Sequence, residues 1–347
     1  MTGLRLEVDL GVLAANIAAV RARVAPAEMM LIVKDDAYGH GLEAVVSRAS
    51  AEGVRWFGAF DVHDALVTRG VVGEGARIFS WLTVGREEIA AALDAHVDLG
   101  VGDAGFLEDI ASVARTVGAV ARVHLKIDTG LHRNGIRPEQ WPSVLERSVE
   151  LQAEGAIRVV GVWSHIAEAS DETDDEARAV FEEAVSAAER AGFAIEVRHL
   201  AASAASFARA QFRYDLVRVG AFCYGVRSAH GESETALGVR PVGSLIAPVT
   251  RVDDARAVIG VGSLHGLPSS LARRASLRHA TDALPIDRID EAHSTVTAWA
   301  GSAAGEEIVV FGAGGRSATD LAEAIGTVGE EILVRVSPLI PRTYLGG

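Results

Sequence analysis

Residues that could act on a small anionic molecule follow the ends of short β-branched segments in the first two thirds of the chain. They are a lysine, two arginines, a histidine, a serine and a small-residue loop, at Lys34, Arg133, His165, Ser203 and 218–221. An uncharged lysine amine forms an imine with a carbonyl group, while arginines and small-residue loops bind phosphate. This combination predicts a site for an anionic cofactor that carries a carbonyl group.

Each of these residues has a simpler explanation when it is considered alone. A lysine beside Asp35 and Asp36 is most often a solvated surface charge, and a lone histidine such as His165 is most often a core residue. Arg133 near Asp128 is most simply a local ion pair. The prediction of a site therefore depends on their shared position, because all of them follow strands that end on one inferred face.

Eight short strands separated by helical patterns would position these residues. The predicted strands are 30–34, 56–60, 78–82, 98–101, 123–128, 159–165, 196–200 and 216–221. Apolar residues recur at helical spacing in 10–24, 86–95 and 174–190, and Asp9 is the predicted N-cap of the first helix. Eight strand–helix units indicate an α/β fold, an N-terminal (β/α)8 TIM barrel, with a doubly wound sheet as the alternative.

The pattern changes after Gly225. The polar segment 230–235 is predicted to be a linker, so the domains are expected to be 1–229 and 230–347. Strand-like runs at 242–252, 308–311 and 330–336, with one helix at 318–325 capped by Ser317, predict a smaller, mostly β C-terminal domain.

Composition narrows the class of protein. The formal net charge of −14 argues against a nucleic-acid partner, whose phosphates would be repelled. A single cysteine, Cys223, rules out an intramolecular disulfide, and no apolar run is long enough to span a membrane. The N-terminus has no signal-peptide pattern. We therefore expect a cytoplasmic protein without nucleic-acid or membrane partners, and with no metal at the site.

Six ordered motifs resemble those of the alanine racemases, which are fold-type III pyridoxal phosphate enzymes. They are VKDDAYGHG at 33–41, KIDTGLHRNG at 126–135, SH at 164–165, HLAASA at 199–204, VRVG at 217–220 with YG at 224–225, and the closing segment 336–344. The resemblance covers roughly 1–232 and 306–347.

This resemblance implies a role for each matching residue. Lys34 would hold pyridoxal 5′-phosphate as a Schiff base and move the Cα proton on one face, with Arg133 near the substrate carboxylate. His165 would lie against the cofactor ring, and Arg218, oriented by His199, would face the ring nitrogen and keep it unprotonated. The residues implied around the phosphate are Tyr38, Ser203, Gly220, Ala221 and Tyr344.

The resemblance further implies an isomerase that interconverts L- and D-alanine, or a related small amino acid, and so serves D-alanine biosynthesis. It also implies a homodimer in which the partner chain completes each active site. In relatives the lysine that matches Lys126 is often carbamylated and supports the arginine that matches Arg133.

The match fails where the family places its second catalytic base, a tyrosine of the C-terminal domain. The four tyrosines of this chain all lie outside 225–343, and 242–266 is shorter than the matching family segment. The family also has tyrosine where Ser263 stands. We therefore predict that a histidine of the partner chain replaces the tyrosine, with His265 preferred over His279 and His293.

Three alternatives remain open at this point. With Lys34 as its only base, the enzyme could perform single-face chemistry such as aldol cleavage, decarboxylation or slow transamination. The protein could also be a non-catalytic homologue that binds pyridoxal phosphate. A barrel without any cofactor would show neither yellow colour nor a lysine that borohydride traps.

Overall fold

The computed structural model describes residues 3–168 and 170–346. The chain divides into two compact units, one formed by residues 21–34 and 53–220 and the other by 1–20, 35–52 and 221–347. The chain begins with strand β1 (Arg5–Asp9) and helix α1 (Leu10–Val24). The predicted N-cap is confirmed, because Asp9 Oδ1 accepts a hydrogen bond of 2.9 Å from Val12 N.

Eight parallel strands form the sheet of the first unit. They are β2 (Glu28–Ile32), β3 (Trp56–Ala59), β4 (Arg77–Ser80), β5 (Asp98–Val101), β6 (Ala121–Lys126), β7 (Ile157–Trp163), β8 (Val197–His199) and β9 (Leu216–Val219). Their order is β8-β7-β6-β5-β4-β3-β2-β9. Two backbone hydrogen bonds link the end strands, from Asp215 N to Arg198 O and from Arg218 N to Ala201 O, at 3.3 and 3.1 Å. The predicted (β/α)8 barrel is confirmed.

Amphipathic helices alternate with these strands because their apolar residues recur on one side. They are α4 (Val62–Val72), α5 (Gly85–Asp94), α6 (Ala104–Val117), α7 (Trp141–Ala153), α8 (Asp171–Arg190) and α9 (Ser203–Ala208). Side-chain caps define where α4, α6 and α8 begin, since Asp61, Asp103 and Ser170 each accept a hydrogen bond from the backbone N–H three residues on.

The second unit contains a mostly antiparallel sheet. Its strands, besides β1, are β10 (Gly243–Val252), β11 (Arg256–Ile259), β12 (Ser276–His279), β13 (Asp282–Ile289), β14 (Ser294–Thr297), β15 (Glu307–Phe311) and β16 (Arg342–Leu345). β1 pairs antiparallel with β10 and parallel with β16. The same unit holds α2 (Lys34–Gly39, from residue 35 on), α3 (Leu42–Ala51), α10 (Glu234–Leu237), α11 (Ala318–Ile325) and α12 (Gly329–Val334). The predicted, mostly β second domain is confirmed.

Local predictions in this unit had mixed outcomes. Ser317 caps α11 as predicted, accepting a hydrogen bond of 3.1 Å from Asp320 N. The predicted strand 330–336 is wrong, because 329–334 form helix α12. Glu330 and Glu331 lie in its first turn, where the helix dipole favours negative charge, and the adjacent residues Ile332 and Leu333 are both buried.

The predicted linker 230–235 already contains the start of α10. The predicted domain boundary after residue 229 stays a prediction, and the compact units divide the chain at other residues. In the two described ranges, no helix is both long and apolar enough to cross a bilayer.

Candidate active site

Lys34 follows the first barrel strand directly. Val33 N donates a hydrogen bond of 2.9 Å to Gly58 O, which continues the pairing of β2 with β3 for one residue beyond β2. Lys34 is half-buried. The end of the barrel strand therefore determines where the amine begins, and this is the edge at which barrel enzymes carry their chemistry.

The four residues after Lys34 adopt left-handed backbone geometry. Asp35, Asp36, Ala37 and Tyr38 have φ between 53° and 55°, although none of them is glycine. Each such residue costs about 1–2 kcal/mol relative to the right-handed form. Asp36 Oδ1 accepts a hydrogen bond of 2.7 Å from Leu42 N and stabilises the turn. Strain of this kind collects at functional sites, so its position beside Lys34 supports the predicted site.

The guanidinium of Arg218 is buried and held by fixed hydrogen bonds. Nη1 donates to His199 O at 2.9 Å and to His199 Nδ1 at 3.1 Å. Nη2 donates to Ser164 O at 2.7 Å, to Leu200 O at 3.0 Å and to His165 Nδ1 at 3.2 Å. Within the described part of the chain, Nε is the Arg218 nitrogen without a protein acceptor, which leaves this N–H for a ligand.

Positive charge dominates the end of the barrel where Lys34 lies. Burial, and then the positive charges of Arg218, Arg133, Lys126 and Lys34, together lower the pKa of His165 to about 3. His165 is therefore a neutral imidazole at physiological pH.

The same field acts on two of the cations themselves. Burial, then Arg218 and Arg133, lower the pKa of Lys126 to about 8, against the opposing effect of Asp128. Burial and Arg133 lower the pKa of Arg218 to about 9, so Arg218 remains a cation at neutral pH. This concentration of positive charge fits an anionic, phosphate-bearing cofactor.

The simple ion pair between Asp128 and Arg133 is not found in the described part of the chain. Asp128 instead accepts hydrogen bonds of 3.1 Å from Gly130 N and His132 N, and its Oδ2 lies 3.0 Å from His132 Nδ1. Arg133 is exposed. Its guanidinium is therefore available for an anion outside the protein's own carboxylates.

Ser203 and Gly220 follow neighbouring barrel strands. Ser203 begins α9, which comes after β8, and Gly220 comes directly after β9. Glu168 Oε1 accepts a hydrogen bond of 3.0 Å from Ala205 N and so holds the first turn of α9. Both residues lie at the strand ends that carry phosphate sites in many barrels.

The remaining predicted cofactor residues lie in the second unit. Tyr38 packs on Tyr224 with ring centroids 4.7 Å apart, and burial raises its pKa. Tyr344 Oη lies so close to Gly41 that a Cβ at residue 41 would come within 1.9 Å of it. Gly41 is therefore required by the position of Tyr344. Ala221, the last of these residues, accepts a hydrogen bond of 2.9 Å from Val226 N at its carbonyl oxygen.

His265 makes a local hydrogen bond in the same unit. Its Nδ1 accepts a hydrogen bond of 3.0 Å from Gly262 N, so the neutral ring carries its proton on Nε2. Burial and the nearby His293 lower the pKa of His265. The acceptor nitrogen of the ring is thus occupied by the backbone in this conformation.

The connection between β10 and β11 is a tight turn. Asp253 N donates a hydrogen bond of 2.9 Å to Arg256 O, and Asp253 Oδ1 accepts from Ala255 N and Arg256 N at 3.1 and 2.9 Å. This turn leaves no additional segment between the two strands, in agreement with the short 242–266 region.

Sequence reasoning missed two residues that contact His199. Trp163 stacks on His199, and His124 forms a hydrogen bond with His199. For His124 the one sequence signal is alternation in β6, where the polar residues His124 and Lys126 stand two residues apart and so face the same side of the strand.

A closed parallel barrel with a lysine and cationic groups at its strand ends defines a class of α/β-barrel enzymes that bind an anionic, carbonyl-bearing cofactor. The family model described as "Alanine racemase, N-terminal domain" matches residues 8–228. The curated alanine racemase of Beutenbergia cavernae is 39% identical, covering 99% of this chain and 98% of that protein, and that of Thermobifida fusca is 33% identical, covering 98% and 97%.

The crystal structure of alanine racemase from D-cycloserine-producing Streptomyces lavendulae has a TM-score of 0.94 at 32% identity, covering 100% of this chain and 98% of that one. The chain belongs to the alanine racemase family, as predicted. The alignment with the Beutenbergia cavernae protein spans 372 positions, more than the 347 residues here. That relative therefore has residues with no counterpart in this chain.

Proposed function

We propose that this protein is a pyridoxal-phosphate-dependent racemase that interconverts L- and D-alanine. The charge around Lys34 supports this function most directly, because Lys126, Arg133 and Arg218 all lower the pKa of His165 and so form a cationic field at the end of the barrel. Family membership supports the cofactor and the enzyme class. It also favours racemisation over the alternative of single-face chemistry.

Lys34 and Arg133 have separate roles in this reaction. Lys34 Nζ would hold the cofactor covalently and, when released as a free amine, would accept or return the Cα proton on one face of the substrate. Arg133 binds the substrate carboxylate, which its planar guanidinium can meet with two parallel hydrogen bonds. When bound, the cofactor withdraws electrons from the Cα–H bond and so makes that proton acidic.

Arg218 and His165 would hold the cofactor ring. Arg218 is charged and offers its Nε–H, so it would donate to the ring nitrogen and leave that atom unprotonated. His165, neutral and oriented by Arg218 Nη2, would pack against the ring without adding charge. Both residues act by position, since neither exchanges protons near neutral pH.

The assignments of Tyr38, Ser203, Gly220, Ala221 and Tyr344 to the phosphate stay predictions. The same holds for His265 as second base, and it carries a condition: Nδ1 must exchange its hydrogen bond with Gly262 N before it can accept a proton. Carbamylation of Lys126 is favoured by its lowered pKa, because carbon dioxide reacts with the neutral amine.

A homodimer and a cytoplasmic location are further parts of the proposal. Leu264 and Leu339 support a dimer, because their exposed fractions of 69% and 90% are high for large apolar side chains. Sedimentation analysis with and without pyridoxal phosphate would measure the mass of the assembly, and a monomer at micromolar concentration would contradict this part.

Two measurements test the function. Protein incubated with pyridoxal phosphate should turn yellow, and borohydride reduction followed by peptide mapping should place the label on Lys34. The labelled protein should then be compared with Lys34→Ala, which should remain colourless. A label on another lysine would contradict the assignment of Lys34.

The reaction itself is tested with L- and D-alanine in heavy water, reading Cα deuteration and inversion separately. Racemisation predicts deuterium in both enantiomers from either starting material. Deuterium without inversion would support single-face chemistry, and so would release of carbon dioxide or an aldehyde from other amino acids. No exchange at all in the yellow protein would support a non-catalytic homologue.

A further inference from the structure

We propose that Asp98 and His124 are positioning residues for Arg218, which they orient through a directed chain of hydrogen bonds that passes through His199. The proposal rests on the proposed function only in assigning Arg218 to the cofactor ring. Neither Asp98 nor His124 belongs to the motifs around the cofactor.

Four buried side chains from four different strands or strand ends form this chain of hydrogen bonds. Arg218 Nη1 lies 3.1 Å from His199 Nδ1, and His199 Nε2 lies 2.9 Å from His124 Nδ1. His124 Nε2 lies 3.2 Å from Asp98 Oδ2. All four residues are buried, and both histidines have exposed fractions of 0%.

Arg218 and Asp98 lie at the two ends of this chain of hydrogen bonds, and their chemistry determines the position of every proton between them. A guanidinium only donates, so His199 Nδ1 must accept and the proton of the neutral ring lies on Nε2. This N–H donates to His124 Nδ1, which places the His124 proton on Nε2. That proton in turn points at the carboxylate of Asp98, which only accepts. Every donor therefore points away from Arg218 and toward Asp98.

Asp98 is ionised and held in place by two further cations. Its carboxylate accepts from Arg77 Nη2 at 2.6 Å and from Arg122 Nε at 2.9 Å. Burial alone would raise the pKa of Asp98, but the hydrogen bond from His124, together with the charges of Arg77 and Arg122, lowers it to about 2. Burial also lowers the pKa of His124 and of His199, which keeps both rings neutral.

Close packing surrounds both rings. A Cβ at Gly161 would come within 2.4 Å of His124 Nδ1, so only glycine leaves room for this ring. Phe79 packs on both imidazoles, with ring centroids 4.8 Å from His124 and 5.3 Å from His199. The alternative tautomer of His199 would place its Nδ1–H against an N–H of Arg218, which would displace the guanidinium.

The tautomers can be read directly in the protein without cofactor. Nitrogen NMR of protein labelled at histidine should show His124 and His199 as neutral rings protonated at Nε2 and unchanged from pH 6 to 8. The variant His124→Phe assigns the signals, because the signal of His124 is missing from its spectrum. A His199 signal protonated at Nδ1, or a charged ring at either position near pH 7, would overturn the proposal. This measurement does not depend on whether the enzyme racemises alanine.

A variant pair separates positioning from packing. His124→Phe removes both hydrogen bonds and keeps an aromatic ring, whereas Phe79→Leu, the control, reduces packing on both imidazoles without removing a hydrogen bond. His124→Phe should weaken pyridoxal phosphate binding by about tenfold and shift the absorbance of the bound cofactor, because a buried His199 N–H loses its acceptor. Phe79→Leu should lower the midpoint temperature of unfolding and leave both the affinity for pyridoxal phosphate and the absorbance of the bound cofactor unchanged. Equal effects of the two variants on affinity and absorbance would overturn the proposal.

Discussion

The indole of Trp163 lies parallel to the imidazole of His199, with ring centroids 5.6 Å apart and 6° between the ring planes. Lys126 Nζ lies 4.5 Å and Arg218 Cζ 5.3 Å from the centroid of the same indole. Trp163 Nε1 also donates to His124 O at 3.1 Å. One buried aromatic side chain therefore contacts two cations, the imidazole of His199 and the backbone of His124.

Substitution of Trp163 should destabilise the barrel, and the loss should be larger when the aromatic face is removed as well as the hydrogen bond. Trp163→Leu loses the aromatic face and the hydrogen bond, and we expect a loss of about 3 kcal/mol in the free energy of unfolding. Trp163→Phe keeps an aromatic face and should lose about 1 kcal/mol. Urea denaturation at pH 7.5 measures both values. Equal losses for Leu and Phe would show that the contacts with the cations contribute nothing.

Lys126 should behave as an amine with a pKa near 8. Its neutral fraction rises as the pH passes through this value, so carbamate should form in bicarbonate solution from pH 7.5 upward. Carbon NMR with labelled bicarbonate should show a signal that disappears in Lys126→Met and persists in Lys34→Met. A signal that survives in Lys126→Met would assign the carbamate to another amine.

Buried neutral histidines should make the fold sensitive to acid. The pKa of His165 is lowered to about 3 and that of His40 to about 4, each mainly by burial. Between about pH 6.5 and 4 the unfolded chain binds protons on these residues and the folded chain does not. Stability is therefore complete above pH 6.5 and falls as the pH decreases, by about 1.4 kcal/mol per pH unit for each such histidine.

Urea denaturation at half-unit steps from pH 7.5 to 4.5 measures this slope. His40→Gln removes one titrating group and should make the curve shallower, although it also lowers the stability at pH 7.5. A curve that is flat down to pH 5 would show that these imidazoles titrate normally in the folded protein.

His265 has a structural and a predicted catalytic role that two readings can separate. His265→Ala removes the acceptor for Gly262 N–H and should cost about 1 kcal/mol of stability. If His265 is also the second base, the variant should keep Cα deuterium exchange and lose inversion by more than a hundredfold. His279→Ala and His293→Ala test the two other candidates in the same way. Unchanged inversion in all three variants would exclude these histidines as the second base.

Much of the architecture follows from the order of residues alone. Short apolar runs separated by amphipathic stretches predict strands and helices because period and burial are local properties. All eight predicted barrel strands are found within two residues of their predicted ends. The ends of parallel strands share one edge of a barrel, so the strand pattern by itself predicts that Lys34, His165 and Arg218 lie near one another. The prediction of a strand at 330–336 was wrong because two adjacent buried residues on a short helix can resemble a buried strand.

Only the closed barrel decided which buried polar groups meet. Asp98, His124, His199 and Arg218 lie far apart along the chain, and no local pattern distinguishes His124 from an ordinary core histidine. Their hydrogen bonds exist because strands β5, β6, β8 and β9 direct these side chains into one interior. Hydrogen-bond direction depends on distances of a few ångströms between residues of different strands, which is information that local sequence does not carry.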